Sequence, residues 1–91
     1  MKYEINDYVL CLDDLDNKRF FYKSRIVDVQ KDKEYSLVDR MSYDTIDKII
    51  ETNLEEKVDL NDSFIVSKVS KNFSFKNFDE KYPEYSLWNM K

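Results

Sequence analysis

The chain has no glycine, no alanine and no histidine, and only one proline and one cysteine in 91 residues. Without glycine, every glycine-rich phosphate loop is excluded, including the P-loop and the dinucleotide-binding fingerprint. Turns that need φ > 0 fall instead to Asn or Asp, which tolerate the left-handed region best after glycine. Asp16-Asn17, Lys31-Asp32, Asn61-Asp62 and Asn72 lie between apolar or aromatic runs, where such turns are expected. Without histidine, neither a serine-type triad nor a Cys–His pair can be built.

The donor set for metals is equally thin. One cysteine and no histidine exclude a zinc site by ligand count. A calcium loop opening at Asp14 would need glycine at its sixth position and an acid at its twelfth, and Arg19 and Arg25 stand there. No catalytic residue, metal or cofactor is therefore assigned, and the chain is expected to be non-enzymatic. Cys11 has no partner for an internal disulfide and sits in the apolar run Val9 to Leu12, the place of a small core residue. No segment approaches the ~20 apolar residues of a membrane span, and MKYEINDY lacks the basic start and apolar run of a leader. A cytoplasmic location with no membrane contact is expected.

What is abundant is aromatic and charged. Seven Tyr, six Phe and one Trp accompany a net charge of −4. A chain this short makes a single domain, 1–91, and buries only roughly 60 to 65% of its unfolded surface, so most large apolar side chains are needed inside. Phe, Tyr, Met, Ile, Asn and Lys, all with AT-rich codons, dominate the sequence. This composition points to a low-GC source such as a low-GC bacterium or one of its phages.

Three strands are expected early, at about Asp7 to Leu12, Phe20 to Val29 and Glu34 to Arg40, with QKDK forming a hairpin between the second and third. In SYDTIDKIIETNL the residues Ile46, Ile49, Ile50 and Leu54 recur at i, i+3, i+4 and i+8, which predicts a short helix capped by Asp44 and stopped at Asn53. Two more strands are expected in DSFIVSKV and NFSFKNF. The aromatic tail FDEKYPEYSLWNMK then either closes the barrel or forms a docking surface.

With Asp7 and Val9 opening the first strand, FFYKSRIVDV as the second and Val38-Asp39 near the end of the third, residues 6 to 40 resemble a Tudor or related SH3-like domain. The resemblance implies a mostly β fold, a small five-stranded SH3-like barrel with one short helix between strands 3 and 4. The order β-β-β-α-β-β also fits an OB-fold, the alternative architecture. Many Tudor domains hold methylated ligands in an aromatic cage, and Tyr8, Phe21, Tyr22, Tyr35 and Asp39 supply the residue types for one.

Charge then weighs the functional classes. A net of −4 with pI near 4.8 opposes general nucleic-acid binding, which needs a basic surface. Residues 64 to 91 do carry five lysines against three acids, so a basic-aromatic face of Lys23, Arg25, Lys68, Lys71 and Lys76 is the alternative site for a small ligand, a nucleotide or RNA. The leading expectation is a protein-binding module. Asp13, Asp14 and Asp16 would steer a basic partner, and Tyr85, Leu87 and Trp88 would anchor it, since Trp and Tyr are enriched in interface hot spots. By size, acidity and composition the chain resembles small phage inhibitors of host enzymes, anti-CRISPR and other anti-defence proteins among them. That resemblance implies a host-protein partner in the host cytoplasm. Exposed strand edges also make a homodimer an option.

Overall fold

The computed structural model describes residues 3–15, 18–31, 34–54 and 57–83. Strands β1 (Tyr8–Leu15), β2 (Lys18–Val29) and β3 (Glu34–Asp44) form an antiparallel meander. On the outer edge of β3, β4 (Ile50–Leu54) pairs with residues 40–43 and β5 (Val58–Asn61) with residues 34–37. A 3₁₀ turn (Asp62–Phe64) leads into β6 (Ile65–Val69), which pairs with β1. A four-residue helix, α1 (Phe78–Lys81), follows. The fold is therefore mostly β, with six strands in one antiparallel sheet and one short helix among the described residues.

The connection from β5 to β6 dictates the curvature of this sheet. In the path β5-β3-β2-β1-β6 the two strands are four spacings apart, about 19 Å if the sheet were flat. Four 3₁₀-like steps from Asn61 to Ile65 cover only about 8 Å. The sheet must curl to bring its edges together, which produces a small barrel-like shape. Its hydrogen bonding does not close among the described residues.

Both faces of the meander are buried, which explains why YVLCL reads as a continuous apolar run instead of an alternation. Cross-strand partners share a face, so the pairs Val9↔Ser24 and Cys11↔Tyr22 point one way, Leu10↔Lys23 and Leu12↔Phe21 the other. The inner face packs Val9, Cys11, Ile26, Tyr35, Leu37 and Ile65 together with Tyr3. The outer face packs Leu10, Phe21 and Tyr43 under Phe75 and Phe78, with Phe73 and Tyr82 at the margin. The rings contact one another closely, for example Phe21–Phe78 at 4.9 Å and Tyr43–Phe75 at 5.3 Å between centroids. Such pairs add about 0.5–1.5 kcal/mol beyond the area they bury.

Polar groups clamp this aromatic cap at both ends. Lys23, on the outer face of β2, donates through Nζ to the carbonyls of Lys71 (2.6 Å) and Phe73 (2.8 Å). At the far end Lys48 Nζ pairs with Asp79, which also accepts from the Tyr43 hydroxyl at 3.5 Å.

Two expectations are corrected here. No helix forms between the third and fourth strands. Asp44 does act as a cap, its Oδ1 accepting from the N–H groups of Ile46 (2.8 Å) and Asp47 (3.1 Å), but the turn it opens lasts one round. Lys48 donates back to the Asp44 carbonyl at 2.8 Å and adopts φ 61°, a left-handed residue that ends the turn. Branched Ile50 and Thr52 then continue as β4, the conformation their χ1 preferences favour. The helix is at Phe78–Lys81 instead, and the barrel-like sheet has six strands where five were expected.

The second correction concerns NFSFKNF, which is not a strand. Ser70 Oγ accepts from Asn72 N–H and Ser74 Oγ from Lys76 N–H, each at 3.1 Å, so local hydroxyl turns replace strand pairing. Asn77, at φ 63°, then turns the chain into α1. Left-handed residues among those described are Asn6, Asp39, Lys48 and Asn77, so Asn and Asp make most of the turns glycine would have made.

Phe78 is 1% exposed and touches Phe21, Tyr43, Phe75 and Tyr82. Phe78→Ala is expected to cost about 3–5 kcal/mol, read as a lowered urea midpoint. A loss below about 1 kcal/mol would show that the cap rests loosely on the sheet.

Candidate binding surface

β5 and β6 cover only part of the inner face. β5 reaches residues 34–37 of β3 and β6 reaches residues 8–11 of β1, while β2 and β3 run on as a paired ribbon. Along that extension Phe20 pairs with Asp44 and Tyr22 with Ser42, all on the inner-face side; Ser42 and Asp44 lie beyond the stretch of β3 that β5 pairs with, while Tyr22 lines a cavity that it shares with Val58 and Leu60 of β5. The Phe20 and Tyr22 rings stack 6.4 Å apart.

At the outer end of the ribbon, a hollow of about 350 Å³ is lined by Phe20, Ser42, Asp44, Asp47, Ile49 and Glu51. Beside it the aborted helical turn leaves its isoleucines in solvent. Ile46, Ile49 and Ile50 are 45%, 52% and 44% exposed. The spacing that suggested a buried helical stripe thus marks exposed isoleucines: Ile49 lines the hollow with Asp47 and Glu51, while Ile50, opposite Tyr43, lies on the outer-face side of β4. Thr45 fixes this turn to β2, donating through both N–H and Oγ1 to the Arg19 carbonyl at 3.0 Å.

Deeper along the same face lies a smaller cavity of about 170 Å³, walled by Cys11, Leu37, Val58 and Leu60 together with Ser24 and Arg40. A bulge shapes it: Lys23 pairs with Met41 and Arg25 with Val38, so Asp39 and Arg40 together oppose Ser24. Asp39 takes up the extra residue at φ 54°, and Arg25 Nε holds it by an ion pair of 3.1 Å. Bulges re-aim side chains. Here Ser24 Oγ and Arg40 Nε are both buried without a hydrogen-bond partner. Leaving such groups unsatisfied costs about 1–3 kcal/mol each, more for a charged one.

Around them, the Arg40 guanidinium lies 5.7 Å from the Tyr22 ring centre. Burial raises the Tyr22 phenol, Asp13 and Glu51 add to the rise, and Arg40 opposes it. The Cys11 thiol is pushed up to about 12 by burial, so it stays protonated and inert.

The expected site residues disperse. Asp13 is exposed and lines the cavity's outer rim, and Asp14 lies in β1 opposite Arg19. Asp16, Tyr85, Leu87 and Trp88 lie outside the described residues. Of the basic set, Lys23 is spent on the two cap carbonyls and its ammonium is lowered by burial. Arg25 binds Asp39 and Asn6, and Lys68 pairs with Asp7 at 3.3 Å. Lys71 and Lys76 are exposed. The five cage residues do not converge either, because Phe21 is buried in the outer cluster and Tyr35 in the inner one.

Sequence reasoning passed over Arg40, Ser24 and the exposed isoleucines. No local pattern marks a bulge in a glycine-free strand, and the isoleucine spacing fits a helix better than a turn. Among the described residues no group of His, Cys, Asp and Glu is placed to hold a metal ion, and no helix is long and apolar enough to cross a membrane. No protein-family model, curated protein or solved structure matches the chain.

Asp7 provides a pH test of the β1–β6 edge. Its carboxylate accepts the Glu4 N–H at 2.9 Å and faces Lys68, which holds its pKa below the ordinary 3.8 against a smaller opposing effect of burial. A depressed carboxylate stabilises above its unfolded pKa and loses that effect as pH falls through the folded value. The stability advantage over Asp7→Asn should be constant from neutral pH down to about 5 and shrink below about 4 in urea titrations. A difference that does not change with pH would contradict this assignment.

Proposed function

We propose that the protein acts by binding another protein, and that the β3–β4 turn is its docking face. One observation carries the reading: in a small chain that needs its hydrophobes inside, Ile46 and Ile49 are held in solvent by a tightly hydrogen-bonded turn, and exposed Ile50 follows at the start of β4. Apolar patches rimmed by polar groups are characteristic of interaction sites. The rim here is acidic, with Asp47 and Glu51 lining the adjoining hollow, which fits a partner surface that presents an aliphatic or aromatic side chain beside Lys or Arg.

Size, acidity and AT-rich composition support a finer reading. In it the protein is an inhibitor or adaptor from a phage or mobile element, acting on a host protein such as a CRISPR-type defence effector. The curled meander with β5 and β6 on its flanks supports an SH3-like architecture. It disfavours the OB alternative, whose distinguishing helix after the third strand is a turn in this chain. A phosphate-driven activity is disfavoured because Lys23, Arg25 and Lys68 are committed to internal partners.

Affinity purification from a low-GC bacterial lysate should yield a stoichiometric protein, whose dissociation constant can then be measured with the purified pair. Ile49→Asp should weaken that complex by at least about tenfold, because a buried unpaired charge is strongly unfavourable, while Lys71→Glu leaves it unchanged. Equal binding by Ile49→Asp, or co-purifying nucleic acid that Lys71→Glu releases, would overturn the docking assignment.

A further inference from the structure

We propose that the cavity beneath the Asp39–Arg40 bulge is a binding site for a small monocarboxylate with an apolar body, separate from the isoleucine docking face. Three features of the cavity lead to this class.

The first is the pair of unsatisfied polar atoms. Ser24 is 0% exposed, and its Oγ and Arg40 Nε both lack partners in the cavity wall. A native fold satisfies nearly all such atoms, and the exceptions mark strain, function or an absent ligand. Arg40 has a fixed fork of donors that suits a planar carboxylate, and Ser24 can donate one further hydrogen bond. Among the described residues no carboxylate pairs with that fork. Asp39, the nearest in sequence, is paired with Arg25 instead.

The second feature is the apolar wall. Leu37, Val58 and Leu60 enclose a volume of about 170 Å³. That is close to the roughly 150 Å³ that admits one benzene-sized body, so the site suits a single ring or a branched chain of similar bulk. A neutral ligand of that size would fill the wall and leave the guanidinium unpaired.

The third feature limits the charge of the ligand. Asp13 is exposed at the rim, and Asp13 and Glu51 both act electrostatically on Tyr22, the ring over which Arg40 lies. A second negative charge on the ligand would meet Asp13 in the cavity lining, with Glu51 adding to the negative field at Tyr22. One anionic group is therefore accepted at the inner end and refused at the outer end.

The test uses the full chain with 4-methylpentanoate and benzoate as probes, followed by amide chemical shifts and calorimetry. Millimolar or tighter binding is expected, with shifts at Ser24, Arg40, Val58 and Leu60. The matching amides and the dianion hexanedioate should bind at least about tenfold more weakly. Arg40→Met, which keeps the stem and removes the charge, should lower affinity by a similar factor. Leu60→Trp should fill the cavity and abolish binding, which keeps the test decisive if the Arg40 variant does not fold. Failure of both carboxylates to shift these amides, equal affinity for acid and amide, or undiminished binding to a folded Arg40→Met would each overturn the assignment. Loss of the docking activity leaves these outcomes unaffected, because Ile46, Ile49 and Ile50 are not in the cavity wall.

Discussion

The structure depends on burying both faces of a single three-stranded meander. A small sheet packed on one side alone would leave Leu10, Phe21 and Tyr43 in water, and the chain has too few hydrophobes to lose them. The curl enforced by the short β5–β6 link covers the inner face, and the aromatic segment from Phe73 to Tyr82 covers the outer one. Lys23 joins the two layers. Its ammonium is held by main-chain carbonyls of the cap, and its stem runs along the outer face, an arrangement in which a long cation serves as a structural strut.

Covering both faces does not extend to the whole sheet. β2 and β3 are 12 and 11 residues long, whereas β5 and β6 have four and five, so the barrel ends before the ribbon does. Features that weaken a fold collect on that overhang and just inside it: three isoleucines in solvent at the outer end, and a bulge with a left-handed aspartate beside two buried polar atoms without partners where the barrel begins. Proteins retain such departures from local consistency mainly where they serve function. The docking face is a reading of the overhang, and the carboxylate cavity is a separate reading of the space just inside it, against Val58 and Leu60 of β5.

The legible and illegible parts of the sequence divide on physical grounds. β1 to β3 were visible because runs such as YVLCL and FFYKSRIV are long, β-prone and separated by short polar stretches of sequence. The segment from Ser42 to Leu54 misled because helix and turn share their opening signal. Asp44 caps the first N–H groups in either case, and only the left-handed Lys48 decides that the turn stops. The alternation in NFSFKNF suggested a strand, but serine hydroxyls divert the backbone of Phe73 and Phe75 from strand pairing even though both rings pack on the sheet. Sequence spacing likewise does not reveal that Lys23 points at carbonyls or that Arg25 braces a bulge.

The most direct test of the two-sided account is urea denaturation, by far-UV circular dichroism, of a chain ending at Val69 compared with the full chain. Loss of a cooperative transition, with dye binding to newly exposed apolar surface, is the predicted result, because Leu10, Phe21 and Tyr43 would lose their cover. A cooperative transition at an unchanged midpoint would contradict it, and would show that the curled sheet stands without its aromatic cap.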